Sequence, residues 1–395
     1  NDGGSTITAL TLDMSDAGRM LSTSGLNITG GNTGQVVLTS GNAAWDATID
    51  FDTTGTNEHW RVGVEGSDGT FYVGNIDQGG ASAISIHPTT KDVSVVSLNG
   101  IPFYSDVANN SMYTHDVSGT DSTAQGNTAY GFNALDAVTG GDLNTVVGYL
   151  AGSAINSGSN NVLMGYATGD ALTTGSDNVA IGYAALSVED TGSKNVAVGK
   201  SALNALNYNG DGYNVAVGYN AGLLVTTGIQ NTIIGGLAGD SLMTGDNNVA
   251  LGYAAFSAAN TNESGNVAIG SSALSALDNG TTAYTYNTAI GYNAGAAVTS
   301  GIENTLVGGE AGKETTIGNY NTALGLFSLH SNKDGDHNTA IGYKALEDYD
   351  DGDGNGNNTA VGSKSQFNAT TGEFNTSLGS LSMGLGVTTG DYNVA

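Results

Sequence analysis

From residue 127 onward the apolar and polar positions follow one pattern: Asn, a β-branched residue, a small or apolar residue, a larger apolar residue, then Gly. Asn178 to Gly182 reads N-V-A-I-G and Asn338 to Gly342 reads N-T-A-I-G. The second and fourth positions share one face of a strand, and the third, mostly Ala as at Ala180, Ala216 and Ala340, points the other way. β-Branched residues are stiff at χ1 and favour strands, and a strand apolar or small on both faces is expected to be covered on both. Three residues beyond the Gly stands a second small column, Ala134, Ala151 and Ala185, relaxed to Thr168, Ser328, Ser365 and Ser382. After it comes Gly or a larger apolar residue such as Leu135, Leu186, Phe256 or Leu346. The remainder of the unit is rich in Gly, Thr, Ser, Asn and Asp and takes all the extra length, which marks a loop on one side of a repeating rod.

The unit starts at Asn127, Asn144, Asn161, Asn178, Asn195, Asn214, Asn231, Asn248, Asn266, Asn287, Asn304, Asn321, Asn338, Asn358, Asn375 and Asn393, mostly 17 residues apart and occasionally 18 to 21. Gly follows four residues later at Gly131, Gly148, Gly165, Gly182, Gly199, Gly218, Gly235 and Gly252, and so on to Gly379. Such a period is too short for helix-pair or propeller repeats, which need roughly 33 to 45 residues. It suits one coil of a parallel β-solenoid, with two short strands and two turns per coil. Coils ~4.8 Å apart give a roll about 70 Å long for about fifteen coils. The Asn column is expected to form a ladder in which each amide bonds the next coil, and the Gly column a turn with no room for Cβ. The last start, Asn393-Val394-Ala395, stops inside a repeat, so the array is expected to continue past the C-terminus.

The first third has a different make-up. Both Trp, both Pro and both Arg residues (Trp45, Trp60, Pro88, Pro102, Arg19 and Arg61) lie there. Ile7–Leu12, Gln35–Leu38, Ala47–Phe51 and Val93–Leu98 read as strands, and Trp60 to Val73 as a hairpin turning through Ser67-Asp68-Gly69. The expected division is a β-rich module over 1–98, a connector or capping coil over 99–126, and the solenoid over 127–395.

Composition narrows the function. Gly numbers 62 and Pro 2, and charged residues make up only 12% of the chain, well below the roughly 25% of an average soluble domain. A formal charge of −28 with 9 basic residues argues against nucleic acid or anionic membrane partners. No run approaches the ~20 apolar residues of a spanning helix, and the absence of Cys removes disulfides and thiolate sites.

The sequence suggests no enzyme. The five His residues, His59, His87, His115, His330 and His337, are scattered, no G-x-S-x-G occurs, and the carboxylates sit mainly in the variable loops, where they solvate a fibre. Asp351-x-Asp353-x-Asn355-Gly356 matches the first half of an EF-hand-like loop and is the one candidate for Ca2+, although Gly362 stands where the bidentate Glu belongs. No other cofactor is implied. Tyr149, Tyr166, Tyr183 and Tyr219, each following a repeat Gly, form an interrupted column that either packs as a ladder or stacks on sugar rings.

On these residues the array resembles the head repeat of trimeric autotransporter adhesins, the YadA-like family, and similar arrays with Gly-Tyr, as in Gly182-Tyr183 and Gly342-Tyr343, occur in phage tail-fibre proteins. The resemblance covers Asn127 to Ala395; the adhesin unit is a few residues shorter. It implies a left-handed parallel β-roll, three identical chains side by side, and a role in attachment. Segments of the type Ala9-Leu10-Thr11-Leu12-Asp13 to Gly18-Arg19, followed by a Trp-bearing hairpin, resemble linker and knob regions of phage fibres. The expectation is therefore an all-β, homotrimeric tail-fibre shaft on a virion, whose partners are itself, other fibre or baseplate components, and a host glycan or protein receptor. A bacterial surface adhesin or a secreted self-assembling filament is the alternative.

Overall fold

The computed structural model describes the strands lying between residues 47 and 113, and residues 123–395 apart from 261, 281–283, 351, 353–354 and 387–388. The expected strands Ile7–Leu12 and Gln35–Leu38 lie outside these residues. Among the described residues every regular element is a strand. The chain divides after Val95 into two compact units.

In the first unit β1 (Ala47–Asp52), β2 (His59–Val64), β3 (Phe71–Asn75), β4 (Ser82–Ile86) and β5 (Val93–Val95) form one antiparallel sheet in chain order. β2 and β3 pair from Trp60↔Asn75 to Val64↔Phe71, as the expected hairpin requires; its Ser67-Asp68-Gly69 turn lies outside the described residues.

The second unit opens with the short pair β6 (Ser97–Leu98) and β7 (Ile101–Pro102). A hairpin of β8 (Tyr104–Asp106) and β9 (Ser111–Tyr113) follows. β9 then pairs parallel with β10 (Thr128–Tyr130) through Met112↔Thr128, so the stretch before Asn127 supplies the first rung. The solenoid is a ladder of 16 parallel strands ending at β24 (Thr376–Leu378). The strands stack in register, like over like at many rungs, as in Val179↔Val196, Ala180↔Ala197 and Ile181↔Val198, with a large residue over Ala at others, as in Ala216↔Ile233.

Each coil carries one three-residue strand, not two. The reason lies in the backbone: three further places per coil take positive φ, six and eight residues after the Asn and one before the next Asn. In the coil starting at Asn178 these are Ala184 (51°), Leu186 (53°) and Lys194 (63°). So many left-handed residues turn the chain continuously and leave no room for a second extended segment. Each non-Gly residue held there costs about 1 kcal/mol or more, which coil stacking must offset.

The two strand faces are sorted cleanly. The middle residue, Ala129, Val146, Leu163, Ala180 and onward to Ser377, is fully buried inside its own coil. The β-branched residue before it and the apolar residue after it face outward, and Met164, Ile181, Leu251 and Leu324 are 36–48% exposed. The expectation that both faces are covered is thus corrected for the single chain: the Ala row fills the roll, and the row of larger residues is left open.

Interior volume is conserved between columns. Eight residues after the Asn the buried corner is Leu186, Leu203, Phe256, Leu274, Leu329 or Leu346 in some coils and Gly152, Gly169, Gly222, Gly239, Gly295 or Gly312 in others. Adjacent Gly coils share one large residue on the strand. A β-carbon at Gly152 or Gly169 would come within 2.8 and 3.1 Å of Leu163, and one at Gly295 or Gly312 within 2.8 and 2.6 Å of Leu306. Ile233 fills the same role between Gly222 and Gly239. Where the corner is Leu or Phe, the strand residue is Ala, because a close-packed interior has space for only one of the two. Two Gly coils and two Leu or Phe coils thus alternate in a four-coil unit, broken near the end where Gln366 and Met383 occupy the corner.

Candidate functional site

The stacking machinery comes first, because it holds every exposed side chain in place. Along the whole array each column Asn accepts the backbone N–H of the next column Asn on its Oδ1, at 2.8 Å for Asn144 onto Asn127 and 2.8 Å again for Asn393 onto Asn375. In the plain coils its Nδ2 donates to the carbonyl of a Gly fourteen residues on, at 2.8 Å from Asn127 to Gly141 and 2.9 Å from Asn144 to Gly158, whereas in the lengthened coils Asn195 and Asn266 donate to the carbonyls of Ser193 and Ser264. Where both bonds form, one amide closes its own coil and satisfies the next, and the column from Asn127 to Asn375 is fully or almost fully buried. The Gly column holds φ between 129° and 144°, and a β-carbon at Gly235 would collide with the carbonyl of Gly252. This column admits no other residue without opening the stack.

On the outside, the sheet edge is flanked by aromatic rings. Tyr149 stacks on Tyr166 with centroids 5.5 Å apart and Tyr166 on Tyr183 at 5.1 Å, while Phe132 closes the lower end at 6.1 Å. The Lys200 ammonium sits between Tyr183 and Tyr219, 5.7 and 5.5 Å from their centroids. The ring faces of Tyr149 and Tyr166 are therefore taken up by neighbouring rings, and what they offer outward is ring edges and hydroxyls. A second row runs along the residue preceding the Asn, where Tyr320 stacks on His337 at 4.8 Å and Phe374 on Tyr392 at 5.0 Å. That row was not anticipated, since its positions vary freely in residue type; only their shared positive φ brings them into line.

Together these columns make an apolar strip. At ~4.8 Å by ~10 Å per rung, sixteen rungs span a footprint of roughly 750 Å², in which Thr alternates with Val, Ile, Leu, Met and aromatic side chains. Two of its charges are paired near its margins, Lys194 with Asp211 at 2.6 Å and Lys344 with Glu347 at 2.8 Å, while Lys200, Asp177 and Glu303 also stand in its flanking rows.

Of the candidate calcium ligands, Asp351 and Asp353 lie outside the described residues. Asn355 is exposed, and its carbonyl accepts the Tyr349 hydroxyl at 3.3 Å. Among the described residues no group of three or more His, Asp or Glu is placed to hold a metal ion.

Sequence reasoning passed over two buried carboxylates. Glu189 stands in a mostly apolar column that includes Ile155, Leu172, Leu206 and Leu242, although Thr315 and Asn332 also occupy it, and Glu263 in the column of Gly158, Gly175 and Gly245. Glu189 accepts the N–H of Gly192 at 2.7 Å and of Tyr208 in the next coil at 3.3 Å. Glu263 accepts the N–H of Asn279 in its next coil at 3.0 Å. Burial pushes the Glu189 carboxyl above its ordinary value, against the pull of those N–H groups. A charged residue in an apolar or Gly column was the signal available.

No protein-family model, curated protein or solved structure matches the chain.

Proposed function

We propose that the solenoid is the shaft of a homotrimeric fibre, most simply a phage tail fibre, that carries attachment functions to a host cell surface. The observation that carries this reading is the outward apolar strip, continuous over the ladder and unpaired in the single chain. Leaving it in water is costly, and a partner must match it over the whole length. Only a structure with the same axial rise keeps apolar columns in contact from the first rung to the last, and another copy of this chain has that rise by construction. Three copies around one axis close the contact and leave no open strip, and the resemblance to trimeric adhesin heads implies the same number. The function is then mechanical: nearest-neighbour stacking, tripled, gives a stiff spacer.

Sedimentation equilibrium tests the assembly, with a mass three times that of the chain expected. Replacing Ile181 and Leu251 by Lys should yield monomers with an unchanged circular dichroism spectrum; a wild-type mass of one chain would refute the assembly. Immunogold labelling of purified virions and of whole cells separates the tail-fibre reading from a bacterial adhesin, since gold on cell surfaces alone would transfer the protein to the latter class.

A further inference from the structure

The columns of the strip recur from rung to rung, so two copies can slide past one another by a rung and lose little more than the contact of that rung. Fixing their height takes a residue that does not recur, as a single polar side chain fixes the register of an apolar seam. The row that follows the repeat Gly, from Phe132 to Ser380, holds one charged residue, Lys200. We propose that Lys200 is the register pin of the trimer and pairs with the partner subunit's Asp177, an inference that rests on the assembly reading above and deepens it.

Three strips facing one axis settle which margins meet. Rotation carries each chain onto the next, so the margin after the Gly in one copy lies against the margin before the Asn in its neighbour, with equal rungs at equal height. Lys200 belongs to the coil that starts at Asn195, and Asp177 immediately precedes Asn178, one coil below. One rung is ~4.8 Å, within the sweep of a four-carbon lysine stem.

Within a single chain neither group meets an opposite charge among the described residues. Lys200 is exposed, and its ammonium rests between the rings of Tyr183 and Tyr219, which hold it at the margin without neutralising it. Asp177 is exposed and bonds through its backbone alone, its N–H donating to the Ser159 carbonyl at 3.0 Å. The next residue of its row, Lys194, is turned away to Asp211 at 2.6 Å and to the Tyr213 hydroxyl at 3.2 Å, so that pair is closed on itself. One margin is thus left with an acid and the other with a cation, a single rung apart.

Burying an ammonium without a partner costs far more than burying it paired. A slide of three rungs either way sets Lys200 against uncharged members of the opposite row, those from Gly126 to Asn160 or from Gln230 to Gly265, and strands its charge. Glu303, the other acid of that row, stands at the rung of Gly309, which has no side chain to close water out, and needs no counter-charge.

Carbodiimide coupling tests the contact in the native chain, because it joins an amine directly to a carboxylate paired with it. Treated trimers should yield covalently linked chains on a denaturing gel, with a Lys200–Asp177 amide in their peptide masses. Lys200→Arg, which keeps the charge and removes the amine, should abolish that amide. Lys200→Glu and Asp177→Lys should each shift trimer dissociation to lower denaturant concentration, the two together should reverse the shift, and Glu303→Gln should cause none. Trimers that give no Lys200–Asp177 amide, or a double reversal no firmer than the single ones, overturn the proposal. Sedimentation of the same samples separates the two readings: trimers lacking the amide sink this inference alone, whereas a single-chain mass sinks the fibre reading.

Discussion

The plain coils from Asn214 to Asn247 and the long coil just before them, Asn195 to Tyr213, share the Asn and Gly columns, yet they absorb change in opposite ways. In the plain pair the corner Gly222 and Gly239 are compensated by one Ile233, a trade of apolar volume for apolar volume. In the long coil above Glu189 the surplus is backbone, and it is compensated by a buried carboxylate that accepts the N–H of Tyr208. The difference teaches what a stacked roll tolerates: interior volume is exchanged only between neighbouring columns, and extra chain enters only where its polar groups meet a partner.

The bluntest way to break both kinds of coil is Gly235→Val, which places a side chain against the Gly252 carbonyl at φ of 137°. A loss of about 4 kcal/mol is expected, read as a lowered melting temperature. An unchanged melt would remove the turn role of the column. Next, Ile233→Ala empties the space shared by two Gly corners and should cost about 3 kcal/mol in denaturant titration. The same truncation has no counterpart in a Leu coil, where the strand residue is already Ala. Third, Glu189→Ala orphans the Gly192 and Tyr208 N–H groups, for about 2 kcal/mol. Hydrogen exchange should quicken at residues 207–213 and stay slow at 214–230; uniform quickening would mean that the seat serves the whole stack rather than the long coil.

The smallest effect is one of pH. Burial holds the carboxyls of Glu189, Asp170 and Asp240 above their ordinary values. Such groups bind a proton more tightly folded than unfolded, so their contribution is complete below the ordinary value and is lost as pH rises through the raised one. Asp211 and Glu310 are held low by hydrogen bonds from Lys194 and Lys313, and their contribution is present above the ordinary value and lost as pH falls through the lowered one. Stability is thus expected to be greatest in mild acid, declining towards neutrality and again below about pH 4. Glu189→Gln should flatten the decline that sets in above the ordinary carboxylate range; a slope identical to wild type would assign it to other groups.

Much of this was legible in the residues themselves. The period, the parallel stacking of like on like, the Asn ladder and the demand for Gly all follow from identities recurring at fixed distance, because a column in register repeats its chemistry at every rung. What the chain alone left open was which strand face is enclosed. Alternation defines two faces but assigns neither, and the enclosed one is set by the direction in which the turns curve. Those turns rest on positive φ at Leu186, Lys194, Tyr213, His337 and many others, residue types that carry no signature of that conformation. Only the folded coil therefore decided that each coil has one strand, that Ala fills the roll while Ile181 and Met164 face out, and that Glu189 and Glu263 reach the coil above. Those outcomes depend on contacts between residues seventeen to twenty-one apart, made once the coils are stacked.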